Sequence, residues 1–161
     1  MRSRKKFGAY ALPTIVLVVI CMIVTSTLAF TYDKTKPVID RNAKKTEREA
    51  ASEVLGGTDG TALKEEVQSY GGTMTVMTGI GKDGKVTGVK VISNSDTPGL
   101  GSKATKPEYL SQYKGIQELK ADKIKDDDQV DAITGATISS NAVYNAVKKA
   151  LKEYDRSGGD K

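Results

Sequence analysis

Residues 71–92 read G-G-T-M-T-V-M-T-G-I-G-K-D-G-K-V-T-G-V-K-V-I. Polar and apolar residues alternate from Thr73 to Ile80 and again from Val86 to Ile92. A period of two is the pattern of a strand with one face buried and one face wet. Between the two runs, G-K-D-G-K supplies a hairpin turn, and Asp83-Gly84 is a favourable turn dipeptide. The stretch therefore predicts two antiparallel strands with one buried face.

The clearest cover for such a sheet lies at the far end of the chain. Val143, Ala146, Val147, Ala150, Leu151 and Tyr154 recur at helical spacing and define one apolar face of a C-terminal helix. Between sheet and helix, P-E-Y-L-S-Q-Y-K-G reads as a short helix, followed by a charged, loop-rich stretch ending in D-D-D. The last residues, R-S-G-G-D-K, read as a frayed tail. On the other side of the hairpin, Pro37 to Leu55 reads as a polar helix. Proline stands at its first position, Gly56-Gly57 follows its end, and it carries a thin apolar stripe. This segment is expected to serve as a stalk and as a second cover.

Further back, Phe7 to Phe30 contains no charged residue over 24 positions. A helix needs roughly 20 residues to cross the hydrocarbon core of a bilayer. The run is longer than the apolar part of a signal peptide, so an uncleaved anchor is expected. Lys36-Pro37 is expected to end it. Arg2, Arg4, Lys5 and Lys6 precede it, and no acid appears before Asp33. The positive-inside rule then puts the N-terminus in the cytoplasm and the remainder outside.

Composition removes several classes of function. Setting aside those four of the 25 basic residues leaves 21, against 20 acidic ones. The excess charge is an N-terminal tag, not a nucleic-acid face. Histidine is absent and Cys21 is the only cysteine, which excludes zinc sites, haem ligation, iron–sulfur clusters and histidine-based catalytic triads. No G-x-x-x-x-G-K-[ST] loop and no G-x-G-x-x-G fingerprint is present. No catalytic residue and no metal ligand is assigned. Any redox or group-transfer chemistry must come from a bound organic cofactor or from carboxylates and hydroxyls.

Two segments remain that could hold one. S-N-S-D-T-P-G-L-G-S-K, residues 93–103, places bare glycine backbone and a stiffening proline directly after a strand, where a turn leaving the sheet is the plainer reading. D-A-I-T-G-A-T-I-S-S-N-A-V, residues 131–143, opens the last helix. Ser139 or Ser140 can cap that helix. The T-G-A-T upstream is not explained by capping, and a helix N-terminus is a natural seat for a phosphate.

These residues resemble a known family. Asp131 to Thr137, D-A-I-T-G-A-T, resembles the D-x-x-[S/T]-G-A-T motif of FMN-binding domains that carry flavin on a threonine. D-T-P-G-L-G at Asp96 to Gly101 resembles their E-T-P-G-L-G segment, with Asp in place of the usual Glu and so a carboxylate one methylene shorter. An anchor followed by these elements in this order resembles the G subunits of Rnf-type electron-transport complexes. The C subunits of sodium-translocating NADH:quinone reductases are relatives.

The resemblance implies that Thr137 is esterified to the phosphate of FMN by a separate flavin transferase that uses FAD. It implies that Asp131, Thr134, Gly135 and Ala136 form the recognition sequence and phosphate pocket, with Ser139 beside them. Asp96, Thr97, Pro98, Gly99, Leu100 and Gly101 are then expected to contact the cofactor, with Thr97 to Gly101 beside its ring. With no histidine and with Cys21 in the membrane, a hydroxyl joined through the phosphate is the route that remains.

The expected architecture is an α+β fold: one N-terminal transmembrane helix, then an extracytoplasmic FMN-binding domain with a small antiparallel sheet and flanking helices. The expected bounds are 1–6 for a cytoplasmic basic tail, 7–30 for the anchor and 31–56 for the stalk helix. The domain follows at 57–155 and a flexible tail at 156–161. The expected function is electron relay within an ion-translocating ferredoxin:NAD+ oxidoreductase, with other subunits and the lipid bilayer as partners. A stand-alone anchored flavoprotein and a non-redox anchored binding module are the alternatives.

Overall fold

The computed structural model describes the backbone of residues 3–99 and 101–158, and side chains from residue 12 onward. Leu100, the first two residues of the basic tail and the last three of the C-terminal tail lie outside the described residues. The chain divides into two units, residues 1–44 and 45–161.

The first unit is the greater part of helix α1 (Ser3–Leu55). Among the described residues α1 is the one helix long and apolar enough to cross a membrane. Its side chains from Leu12 to Lys44 are exposed, large aliphatic residues included. Three of its threonines bond within the helix: Thr27, Thr31 and Thr35 each donate to the carbonyl four residues earlier, all at 2.8 Å. A helix in a medium without water needs such internal bonding. The break expected at Lys36-Pro37 is absent, since Pro37 lies inside α1. Proline forfeits one N–H and crowds the turn before it, but helix formers on both sides carry the helix through.

The second unit is α+β, as expected. Its sheet has three antiparallel strands in the order β1-β2-β3: β1 (Gly60–Gln68), β2 (Thr73–Gly81) and β3 (Val86–Ser93). β2 and β3 are the predicted hairpin. Gly84 closes their turn with φ 74°, donating its N–H to the Gly81 carbonyl at 2.9 Å. β1 is an addition to the predicted pair. Its run Lys64-Glu65-Glu66 breaks the alternation that marks a strand in sequence, yet it pairs with β2 from Gly60↔Gly81 to Gln68↔Thr73.

Central strand β2 is covered on both faces. Met74, Val76 and Ile80 point into the main core, where helix α3 (Thr137–Arg156) packs with Val143, Tyr144, Val147 and Leu151. All six residues of the expected apolar stripe of α3 are buried. Full burial of one such aliphatic side chain is worth about 1.5–3 kcal/mol, so this stripe dominates the attachment of α3. On the opposite face Met77 packs against Ala50 and Val54 of α1. The close approach there depends on a cross-strand glycine pair, Gly79↔Gly88. A Cβ on Gly79 would lie 2.6 Å from the Val54 carbonyl oxygen, and one on Gly88 would lie 2.8 Å from it. Thr87 Oγ1 donates to that same oxygen at 2.7 Å.

The segment from β3 to α3 closes the core with short helical turns. A 3-10 turn (Gly101–Thr105), helix α2 (Pro107–Leu110) and a further 3-10 turn (Ser111–Tyr113) bury Ala104, Leu110 and Tyr113. The charged stretch that follows is anchored by Ile116, Leu119, Ile124 and Val130. Tyr144 holds it from α3, its hydroxyl lying 2.7 Å from Asp127 Oδ2 and 2.9 Å from the Ala121 carbonyl.

Candidate functional site

Three connecting segments converge on the N-terminus of α3. They are the turn at 69–72 between β1 and β2, the loop after β3, and the T-G-A-T loop. Asp96 draws the first two together. Ser69 Oγ donates to its Oδ2 and the Gly71 N–H to its Oδ1, both at 2.6 Å. The carboxylate is buried. Burial alone would raise its pKa, but hydrogen bonds from Ser139, Ser69 and the Gly71 backbone outweigh that and hold it below the usual value. The Asp96 carboxylate is bound by protein at each oxygen.

The third segment is built by a turn. The Ala136 N–H donates to the Ile133 carbonyl at 3.0 Å, with Gly135 at φ 82°, a left-handed conformation that a side chain disfavours. The Ile133 N–H donates to Ser140 Oγ at 3.0 Å, so the loop is tied back to the helix it precedes. This corrects the expected role of the serines. Ser139 and Ser140 lie inside α3 and are buried, one facing Asp96 and the other holding Ile133. The position before the helix is Ala136, which offers no capping side chain. The serines do not cap because the helix begins at Thr137, with Ala136 in the cap position, three residues before Ser139 and four before Ser140.

The consequence is an open helix terminus. The N–H groups of Thr137, Ile138 and Ser139 have no hydrogen-bond acceptor among the described residues, and Thr137 Oγ1 has no partner among them either. Unsatisfied N–H groups and the positive end of the helix dipole favour an anion at this place.

A cleft of about 520 Å³ lies against that terminus. Gly135, Ala136, Thr137 and Ser139 line it from the helix side, and Thr97 and Gly101 from the loop after β3. Gly101 permits this approach, since a Cβ there would lie 2.6 Å from the Asp96 Cβ and 2.7 Å from Ser139 Oγ. The remaining lining residues, Tyr70 and Ile138, are not among those expected from sequence.

Other expected residues stand apart from the cleft. Asp131 is exposed and does not line it; its backbone is clamped by Gln112, which accepts from its N–H at 2.8 Å and donates to its carbonyl at 3.3 Å. Thr134 is exposed on the turn. Pro98 and Gly99 are exposed on the loop, where the Gly99 N–H donates to Ser102 Oγ at 2.9 Å. Leu100 lies outside the described residues. Sequence signals for the two missed residues exist. Ile138 is an apolar residue off the buried stripe of α3, and Tyr70 is an aromatic beside the Gly71-Gly72 turn.

Comparison with known proteins bears on what the cleft takes. The model of the FMN-binding domain family matches residues 69–152. The chain is 34% identical over 99 residues to the G subunit of the proton-translocating ferredoxin:NAD(+) oxidoreductase complex of Clostridium ljungdahlii, covering 60% of this chain and 54% of that protein. It is 28% identical over 169 aligned positions to the G subunit of the ion-translocating oxidoreductase complex of Methanosarcina acetivorans, covering 85% and 90%. It is 34% identical over 108 residues to the G subunit of the Na(+)-translocating ferredoxin:NAD(+) oxidoreductase complex of Acetobacterium woodii, covering 63% and 50%. The chain thus spans about half the length of the Clostridium and Acetobacterium relatives and 90% of the Methanosarcina one. Among solved structures, NqrC of Shewanella oneidensis is similar at 24% identity and a TM-score of 0.45, over 56% of this chain and 48% of that one.

Proposed function

The chain belongs to the FMN-binding domain family, and on that premise we propose that it holds FMN covalently through Thr137 and relays electrons as part of a membrane-bound, ion-translocating ferredoxin:NAD+ oxidoreductase of the Rnf type. The observation that carries the attachment site is the open terminus of α3, where a Thr137 hydroxyl and three N–H groups without partners among the described residues border a cleft. A phosphate fits this donor set, and Gly101 lets the loop after β3 close against Asp96 and Ser139 at the edge of the cleft. The similarity to proteins of such complexes supports the assignment to one.

In this reading Thr137 Oγ1 would be joined to FMN by a phosphoester: under a flavin transferase its oxygen would displace AMP from the flavin-side phosphate of FAD, and the hydroxyl proton would leave to solvent. The N–H groups of Ile138 and Ser139 would stabilise the phosphate charge. When bound, FMN supplies a ring that takes up and releases electrons, while the protein sets its position and surroundings. Asp96 does not contact the cofactor in this scheme. It fixes the loop after β3 and the 69–72 turn against α3, and Thr97 and Gly101 are the loop residues that would border the ring.

α1 anchors the domain as a single pass, with the basic N-terminus cytoplasmic and the flavin domain outside. Lys34 over the Phe30 ring at 5.9 Å and Lys36 over the Tyr32 ring at 5.4 Å suit the outer headgroup level, where aromatic and lysine side chains gather. The anchor would keep the domain close to neighbouring membrane subunits.

The test is intact-mass spectrometry of the full chain co-produced with a flavin transferase. The wild type is expected to gain the mass of FMN on the peptide containing Thr137. Thr137→Ala is expected to fold and gain none. An added flavin mass retained by Thr137→Ala would refute the attachment site.

A further inference from the structure

Among the described residues of the second unit, Tyr70 and Ile138 are the only large hydrophobic side chains that are exposed, at 70% and 55%. Both line the same cleft. Elsewhere in that unit the large apolar residues are buried or partly buried, so a solvent-facing pair at one cleft requires an explanation that packing within the chain does not supply. The two come from distant parts of the sequence and from different elements. Chance exposure of one residue is ordinary; the coincidence of both at one site points to an apolar ligand surface.

The backbone that presents Tyr70 is held firmly although its side chain is not buried. Asp96 takes hydrogen bonds from Ser69 and from Gly71, the residues on either side of Tyr70. The Ser69 N–H also donates to the Gly72 carbonyl at 2.8 Å, closing the turn with Tyr70 at its tip. A Cβ on Gly71 would lie 2.1 Å from the Ser95 carbonyl oxygen, so the turn is pressed directly onto the strand exit. Ile138 is fixed by its place in the first turn of α3, next to Thr137. Two rigidly mounted apolar side chains therefore stand at the cleft beside the phosphate seat.

We propose that Tyr70 and Ile138 form an apolar clamp that receives the flat ring system of the flavin, with Asp96 as the residue that positions Tyr70. This rests on the reading of Thr137 as the attachment point. The amphiphilic character of the ligand matches the site: a charged phosphate at the helix terminus and an aromatic ring that gains from leaving water. Offset or edge-on packing of aromatic rings adds to the area they bury, so the tyrosine ring suits this role better than an aliphatic side chain would.

The test uses the full chain loaded with FMN by the transferase, with loading checked by intact mass in every variant. A phenol in contact with an excited flavin quenches its emission by giving an electron and taking it back, which a phenyl ring does not do. Tyr70→Phe, which keeps the packing, is therefore expected to raise flavin emission several-fold. Tyr70→Trp is expected to stay as dim as the wild type. Ile138→Ala is expected to make the flavin more accessible to iodide, seen as a steeper quenching slope. Equal emission from loaded wild type and loaded Tyr70→Phe would overturn the clamp while leaving the threonyl attachment intact. Absence of flavin mass from the wild type itself would overturn both.

Discussion

Ser69 Oγ and Asp96 Oδ2 lie 2.6 Å apart, a buried hydrogen bond that joins the end of β1 to the loop after β3. The other oxygen of Asp96 is bound by the Gly71 N–H. Asp96→Asn replaces one acceptor by a donor that faces these donors, and it is expected to cost about 1–3 kcal/mol in urea unfolding at neutral pH. The folded state favours the charged form of Asp96. Its contribution is thus complete above the ordinary carboxylate pKa of about 3.9 and is lost as pH falls through the lower folded value. Wild type and Asp96→Asn should therefore converge in stability on acidification below about pH 4.

Ser140 is buried and accepts the Ile133 N–H, tying the T-G-A-T loop to its helix. Ser140→Ala leaves that N–H without its acceptor and should cost about 1–2 kcal/mol. The same change should slow FMN loading at Thr137 in a time course with the transferase, because the loop carrying the hydroxyl loosens. Unchanged loading with lowered stability would show that the loop's geometry does not depend on this bond.

Gly79 and Gly88 form a notch in which the end of α1 sits. Gly79→Ala places a methyl 2.6 Å from the Val54 carbonyl oxygen, and backbone must move to admit it. A loss of about 1–3 kcal/mol is expected, measured by thermal or urea unfolding. FMN loading should be retained, since the notch lies on the sheet face away from α3 and its site.

Glu65 on β1 has its pKa raised, first by burial and then by the hydrogen bond and charge of Glu153 on α3. The folded state therefore binds a proton more readily than the unfolded one, so this group's stability contribution is present at low pH and falls as pH rises through the folded value. Glu65→Gln should raise stability at pH 7 by roughly a few tenths of a kcal/mol, screened as it is by solvent. The advantage should vanish below about pH 4, where the wild-type carboxyl is protonated in both states.

The elements legible in the sequence are those whose pattern arises locally. The β2–β3 hairpin has near-regular alternation and a turn glycine, and α3 has one continuous apolar stripe. β1 is not legible, because three successive charges hide its period and its identity as a strand comes from pairing with β2. The path of α1 through Pro37 is hidden for a related reason: a proline states a local cost, while the helix on either side decides whether it is borne.

For the site, sequence singles out the loop after β3 and the T-G-A-T loop as cofactor-bearing from their small residues and family pattern. Local chemistry does not separate the residues that border the cleft from those that stand apart. Thr97, Gly101, Gly135 and Thr137 lie together at it, whereas the Asp131 side chain does not line it. That sorting depends on how three connections, far apart in the chain, are pressed together around Asp96.

The sequence by itself determined a long apolar N-terminal segment, an α+β domain, the absence of histidine-based chemistry and a threonine at the start of an amphipathic helix. These follow from composition and short-range periodicity. Only the tertiary structure decided that the helix terminus is uncapped, that Asp96 is a buried strut, and that Tyr70 and Ile138 share one cleft. Each of these depends on how residues distant in sequence are placed, and burial and pairing at such a distance are set by packing rather than by any local pattern.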